Sequence, residues 1–244
     1  MKINNLKLVI LTTDTPHHSY YIKKIYSVFP NLLIICEENN IKAKYPTRHL
    51  IEKKTLEYEK KKFFKNKNFS LSKNFKEIFK KVENINSPRT FKILDKIKKK
   101  LVISFGTRKL NEKFIKRYKN LYNLHGGDTS KFRGLDSHLW AIFFQETNSL
   151  KVSLHKLGKK LDSGKIYKQK KLNLNNIKNI YQLRHYNTEI CIDLTIKLLN
   201  DFKKKKKIHL KKKALGEYFS FMPKIYKNEV IKNFKEFKSN VKKF

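Results

Sequence analysis

Glycine, proline, cysteine and acid are all scarce in this 244-residue chain: seven Gly, five Pro, two Cys, and 20 Asp and Glu against 58 Lys and Arg. The two cysteines, Cys36 and Cys191, each lie in an apolar segment. That excludes a disulfide-stapled secreted scaffold and suits reduced, buried thiols in a cytoplasmic protein. No Cys/His cluster has metal-ligand spacing, so no metal site is expected. No apolar run reaches the roughly 18 residues that a membrane-spanning helix needs. Residues 1–14 combine Lys with an apolar run, as a secretory signal does. They lead into Thr-Thr-Asp-Thr-Pro without a small-residue cleavage site, and so read as a first strand. Disorder is excluded as well, because apolar content is 39% with 18 Phe and 12 Tyr.

Arginine is the other scarce residue. All but six of the 58 basic side chains are Lys; the six are Arg48, Arg89, Arg108, Arg117, Arg133 and Arg184. A net charge of +38 invites a nucleic-acid reading. Arg, however, makes the bidentate phosphate and base contacts, and Lys acts as a point charge. Lys, Asn, Ile, Phe and Tyr all have AT-rich codons, and genome composition is a sufficient source of much of the charge. Nucleic acid is therefore not the expected partner. The basic field would still attract anionic ligands such as nucleotides.

What is present is an alternation of short apolar runs and one-faced stretches. K-L-V-I-L-T-T-D at 7–14 and N-L-L-I-I-C-E-E at 31–38 read as buried parallel strands. Between them Tyr21, Ile22, Ile25, Tyr26 and Phe29 recur at helical spacing. This β-α-β start implies a parallel sheet. Residues 52–100 are charged and helical in character, with a break at Ser87-Pro88. Further strands are expected at 100–106, 121–125, 151–157 and 165–172, the third of these antiparallel. Helices are expected at 111–118, 135–146 and 175–202. The Lys203–Lys207 run reads as solvated surface or linker. Residues 1–202 thus form one expected domain, and 203–244 a short extension that packs on it or makes a homodimer contact.

One stretch is unlike the rest: N-L-H-G-G-D-T-S-K-F-R-G at 123–134. The strand 121–125 runs into it. In an open parallel sheet, ligands bind at the carboxyl ends of strands. Asn123 and His125 are two apart, so their side chains share a face of that strand. Taken alone, the pair is also compatible with a strand-end cap on the following turn.

In context the segment resembles the N-terminal domain of the folate-dependent formyltransferases. The features that carry the resemblance are Asn123-Leu124-His125, then Arg133-Gly134, then the Trp140-containing helix, then Asp162-Ser163-Gly164, with 37 residues from His125 to Asp162. It spans about residues 100–170, with weaker agreement back to residue 7. The resemblance implies an α/β, Rossmann-like fold with a mostly parallel central sheet and helices on both faces. It implies Asn123, His125 and Asp162 as a catalytic trio, and 10-formyltetrahydrofolate (or its 5-formyl analogue) as donor. An amide can hold a developing oxyanion, an imidazole can donate or move a proton, and a carboxylate orients the imidazole. Phe105, Gly106, Leu110, Leu157 and Leu161 would line the pterin pocket, the alternative for Phe105 and Leu110 being ordinary core. His17, His18 and Arg133 are candidates for the acceptor side. His155 reads as a satisfied sheet histidine or a second catalyst.

The loop departs from the common family pattern. His-Pro-Ser-Leu-Leu-Pro is replaced by His125-Gly126-Gly127-Asp128-Thr129-Ser130. Gly126 and Gly127 supply backbone freedom and N–H groups, and Gly127, Asp128 and Thr129 become candidates for gripping the acceptor. The alternative is that Gly-Gly makes the turn and nothing more. After the first strand stands Thr12-Thr13-Asp14-Thr15-Pro16-His17-His18, not the Gly-Ser-Asn loop of the glycinamide ribonucleotide enzymes. Some forty residues follow the helix ending near Phe202, too few for the β-barrel of the methionyl-tRNA enzymes. The first strand starts at residue 7, which leaves no expected N-terminal regulatory domain. The remaining resemblance is to the formyltransferases of nucleotide-linked amino sugars. Formylation of another amine, aminoacyl-tRNA included, and a non-catalytic folate- or nucleotide-binding module are the open alternatives.

Overall fold

The computed structural model describes residues 6–38 and 42–241. Its frame is a seven-stranded sheet in the order β3-β2-β1-β4-β5-β7-β8. The strands are β1 (Lys7–Thr12), β2 (Leu32–Glu37), β3 (Phe79–Val82), β4 (Lys100–Phe105), β5 (Leu121–His125), β7 (Lys151–Lys156) and β8 (Ile166–Lys171). The first five run parallel, β7 runs antiparallel to β5, and β8 runs antiparallel to β7. A two-stranded parallel ribbon pairs β6 (Phe132–Gly134) with β9 (Glu217–Phe219). This is the α/β, mostly parallel architecture expected from the sequence.

The central strands are apolar throughout because both faces are covered. Leu8 and Ile10 point into one core layer with Ile34, Leu101 and Ile103. Val9 and Leu11 point into the other with Ile35 and Val102. The first layer is closed by α1 (Pro16–Val28) and α7 (Leu183–Lys203), tied by the Tyr21 hydroxyl 2.9 Å from Thr195 Oγ1. The second is closed by α4 (Pro88–Asp95) and α5 (Glu112–Arg117), through Leu94 and Phe114. Caps fix the helix starts. Ser87 Oγ accepts from Thr90 N at 3.4 Å, and Asn111 Oδ1 accepts from Phe114 N at 2.8 Å.

The stretch 52–100 is less helical than its composition suggests. It holds α2 (Leu50–Phe64), the single turn α3 (Leu71–Asn74), the strand β3 and α4. β3 reads F-K-K-V and is an edge strand with two exposed lysines, so no continuous apolar run marks it. The helix expected at 175–202 starts only at Leu183, after two short 3₁₀ turns, Leu174–Asn176 and Ile180–Gln182.

The C-terminal residues lie on the rest of the fold. Lys211 N and O pair with Ile166 at the β8 edge. Ser220 O accepts from Trp140 Nε1 at 2.9 Å, on α6 (Ser137–Phe143). The helix α8 (Lys227–Val241) buries Val230 and Phe234 in the first core layer. Among the described residues no helix is long and apolar enough to cross a membrane.

Candidate active site

The chain leaves β1 toward β2 and β3, and leaves β4 toward β5 on the other side. A crevice opens at the carboxyl ends where that order reverses. Thr12 Oγ1 donates to Phe105 O at 3.0 Å, and Thr13 Oγ1 to Gly106 O at 3.4 Å, which holds the two strand ends together. A cavity of about 1050 Å³ opens here, at the upper limit for small-molecule sites. Asn123, His125 and Asp162 all line it.

Asp162 touches both of the other side chains. Asn123 Nδ2 donates to Asp162 Oδ1 at 3.0 Å. His125 Nδ1 lies 3.4 Å from Asp162 Oδ2. His125 Nε2 is 2.9 Å from Phe132 O, a group that only accepts, so that nitrogen carries a hydrogen. Ser137 Oγ is 3.2 Å from the same nitrogen. Asp162 adopts a left-handed backbone, φ 51°, and its Oδ2 accepts from Gly134 N at 2.9 Å. Burial works to raise the Asp162 pKa. The His125 ring above all, with the Gly134 N–H, outweighs it and holds the carboxyl well below the usual carboxylate range.

The pterin-side candidates Phe105, Gly106, Leu110, Leu157 and Leu161 line the same cavity. The segment 105–110 is held by Glu37, which is buried and accepts from Arg108 N at 2.7 Å and Arg108 Nε at 2.9 Å. Gly106 has φ +74°, and a Cβ there would lie 2.1 Å from His18 Cε1. Only glycine permits that approach.

His17 and His18 also line the cavity. The His18 ring packs on Phe105 with centroids 4.5 Å apart, and its Nδ1 is 3.1 Å from Thr13 O. Burial pushes its pKa down to about 3, and burial also takes His17 well below its ordinary value. Both rings are therefore neutral hydrogen-bonding groups at physiological pH. Arg133 lines the cavity with its guanidinium already engaged. Nη1 donates to Leu161 O at 2.8 Å and Nε to Gly216 O at 2.6 Å.

Gly127, Asp128 and Thr129 are not brought to the cavity. A Cβ on Gly127 would meet Ser137 Cβ at 2.5 Å and His125 Nε2 at 2.7 Å, so this glycine lets the loop pack behind the imidazole. Asp128 is turned inward, 2.6 Å from Lys151 Nζ, and accepts from Ser130 Oγ at 2.6 Å and Gln169 Nε2 at 3.0 Å. Thr129 is buried, and its carbonyl accepts from Gly216 N at 3.1 Å. These residues fasten the loop to β7, β8 and the C-terminal ribbon.

Other lining residues carry no local motif. Arg184, at the start of α7, is held by Glu59 of α2 through two hydrogen bonds of 2.6 and 2.7 Å. Asn187, one turn on, lies 2.9 Å from His138 Nδ1. Tyr45 lines the cavity and donates to Phe221 O at 2.6 Å. The one available signal was the rarity of arginine, which marks Arg184 out of so many lysines. Among the described residues, no group of three or more His, Cys, Asp or Glu is placed to hold a metal ion.

Solved structures with this architecture include a 4-N formyltransferase from Francisella tularensis, with TM-score 0.61 and 15% identity, over 88% of this chain and 76% of that one. The chain has the formyltransferase fold. An N-formyltransferase from Helicobacter canadensis, solved with folinic acid and dTDP-3-aminofucose, gives TM-score 0.56 and 16% identity over 88% and 71%. In sequence, the formyltransferase-like chain is 28% identical over 122 residues to the bifunctional polymyxin resistance protein ArnA of Wigglesworthia glossinidia brevipalpis. That match takes in 48% of this chain and only 18% of the length of that protein. No family model matches the chain. The resemblance to folate-dependent formyltransferases thus rests on motif and on fold together.

Proposed function

We propose that this protein is an N-formyltransferase that moves a formyl group from 10-formyltetrahydrofolate to the primary amine of a nucleotide-linked amino sugar. The observation that carries the reading is the convergence of Asn123, His125 and Asp162 on one cavity of about 1050 Å³. The Helicobacter canadensis neighbour, solved with folinic acid and dTDP-3-aminofucose, supports the donor and acceptor classes. The apolar side chains of Phe105, Leu110, Leu157 and Leu161 fit a flat pteridine.

The donor supplies the formyl carbon, whose carbonyl oxygen becomes negative as the amine attacks. The amine nitrogen forms the new C–N bond, the bond to the folate nitrogen breaks, one proton leaves the amine and one reaches the folate nitrogen. Asn123, and His125 once its Nε2–H leaves Phe132 O, would donate to the oxyanion. The ionised Asp162 carboxylate stabilises a protonated His125 and holds the ring's direction. Residues 1–202 would carry this chemistry, and residues 203–244 would complete the acceptor-side wall. Buried free thiols at Cys36 and Cys191 suit a cytoplasmic location.

The test is incubation of the pure protein with 10-formyltetrahydrofolate and a panel of dTDP-, UDP- and GDP-amino sugars. One formamido product is expected, and His125→Ala should slow its formation by about 10²- to 10³-fold or more. No product across the panel, with an active aminoacyl-tRNA or amino-acid acceptor alongside, would sink the acceptor assignment. Full activity in His125→Ala would sink the trio.

A further inference from the structure

A row of polar side chains crosses the sheet under the trio. Ser104 of β4 is in register with Asn123 of β5, and Asn123 is in register with His155 of β7. Ser104 and His155 are both buried, His155 completely. Ser104 Oγ donates to Asn123 Oδ1 at 2.5 Å. On the other side, Asn123 Nδ2 is 3.3 Å from His155 Nε2. His155 Nδ1 is 2.7 Å from Lys156 O. His155 Nε2 also lies 3.5 Å from Asp162 Oδ1.

The hydrogens in this row can be assigned one by one. A backbone carbonyl only accepts, so the short bond to Lys156 O puts a hydrogen on His155 Nδ1. In the neutral ring that leaves a lone pair on Nε2. A lone pair needs a donor, and the nearest is the Asn123 amide nitrogen. This fixes the amide with its NH₂ toward His155 and Asp162 and its oxygen toward Ser104. With a hydrogen on Nε2 instead, nothing would hold the amide in that sense against its flipped form except Asp162.

We infer that His155 is a positioning residue. Acting through Asn123, its Nδ1–H tautomer sets which face of the amide meets the oxyanion. The inference rests on the formyl-transfer reading. The amide has two hydrogens, one on Asp162 and one on the longer His155 contact. The hydrogen on His155 is the one available to the substrate oxygen when it arrives, and the Asp162 bond stays as the pivot.

Three substitutions separate this role from simple filling of space. Gln at 155 carries its amide near the place of Nε2 and can still accept from Asn123. Asn carries it near Nδ1 and keeps only the Lys156 bond, and Phe keeps neither. His155→Gln should retain kcat within about threefold. His155→Asn and His155→Phe should lose about 10²- to 10³-fold in kcat, with donor KM little changed. Equal kcat in the Gln and Asn variants, or a loss carried by KM, overturns the proposal. A second measurement needs neither a variant nor activity: long-range ¹H–¹⁵N correlation of the histidine rings in the unaltered protein. It should report the Nδ1–H tautomer for His155, and the Nε2–H tautomer overturns the proposal even if formyl transfer itself proves wrong.

Discussion

Lowering the pH from 7 to 5 should remove several kcal/mol of stability, and buried imidazoles are the cause. Burial pushes the His18 pKa down to about 3 and the His138 pKa down to about 4. His17 moves the same way for the same first reason, helped by His18 beside it. Unfolding returns each ring to water, where its pKa is near 6.5. The folded values are depressed, so below about pH 6.5 the unfolded chain takes up protons that the folded chain refuses. Stability is therefore complete above that pH and is lost as the pH falls toward the folded values. At pH 5 each refusing ring costs about 2 kcal/mol, at ~1.4 kcal/mol per pH unit. His18 and His138 together give about 4 kcal/mol, a large share of the roughly 5–15 kcal/mol that holds a domain folded. Urea unfolding at pH 7, 6 and 5 measures the loss. His18→Gln removes one such ring, so its stability should vary less steeply with pH, by about 1.4 kcal/mol per unit between pH 6 and 5. An unchanged slope in that variant would refute the reasoning.

Two further tests address the same walls of the cavity and the core. Gly106→Ala forces a left-handed backbone on alanine and drives a methyl into His18; it should destabilise by at least about 1–2 kcal/mol and weaken binding of a folate analogue, read by urea unfolding and titration, and an unaffected protein would show that the close approach is not real. Burial pushes the Cys36 thiol up to about 12 and raises Cys191 as well, so iodoacetamide at pH 8 should label neither in the folded protein and both in urea, with mass spectrometry counting the adducts; rapid labelling of the folded protein would contradict their burial.

The parts of the fold that could be read from the sequence are those where burial is two-sided. Strands β1, β2 and β4 are continuous apolar runs because helices cover both their faces. Strands β3, β6 and β9 are short and partly exposed, so neither length nor alternation marks them. Asn123, His125 and Asp162 could be picked out together only through the family resemblance, since chemistry calls for such residue types but does not order them along a chain. The direction in which Asp128 points could not be read, since Lys151 and Gln169 reach it from other strands and loop spacing says nothing about them. The row Ser104–Asn123–His155 depends on strand register, a property of the sheet rather than of any one segment. Arg184 and Glu59 are 125 residues apart, and only the packing of α7 beside α2 brings them together.

Part of the cavity rim is late chain. Tyr218, Ser220 and Phe221 stand on it, and Lys227, buried at the start of α8, grips Thr47 O and the carboxylate of Glu52. The segment 45–52 is thereby moored to residues made some 170 positions later. During synthesis the sheet can form while this side of the cavity is still open, because its far wall has not left the ribosome. A closed cavity is thus among the last things this polypeptide acquires, and a nascent chain halted after α7 would carry Asn123, His125 and Asp162 without that wall beside them.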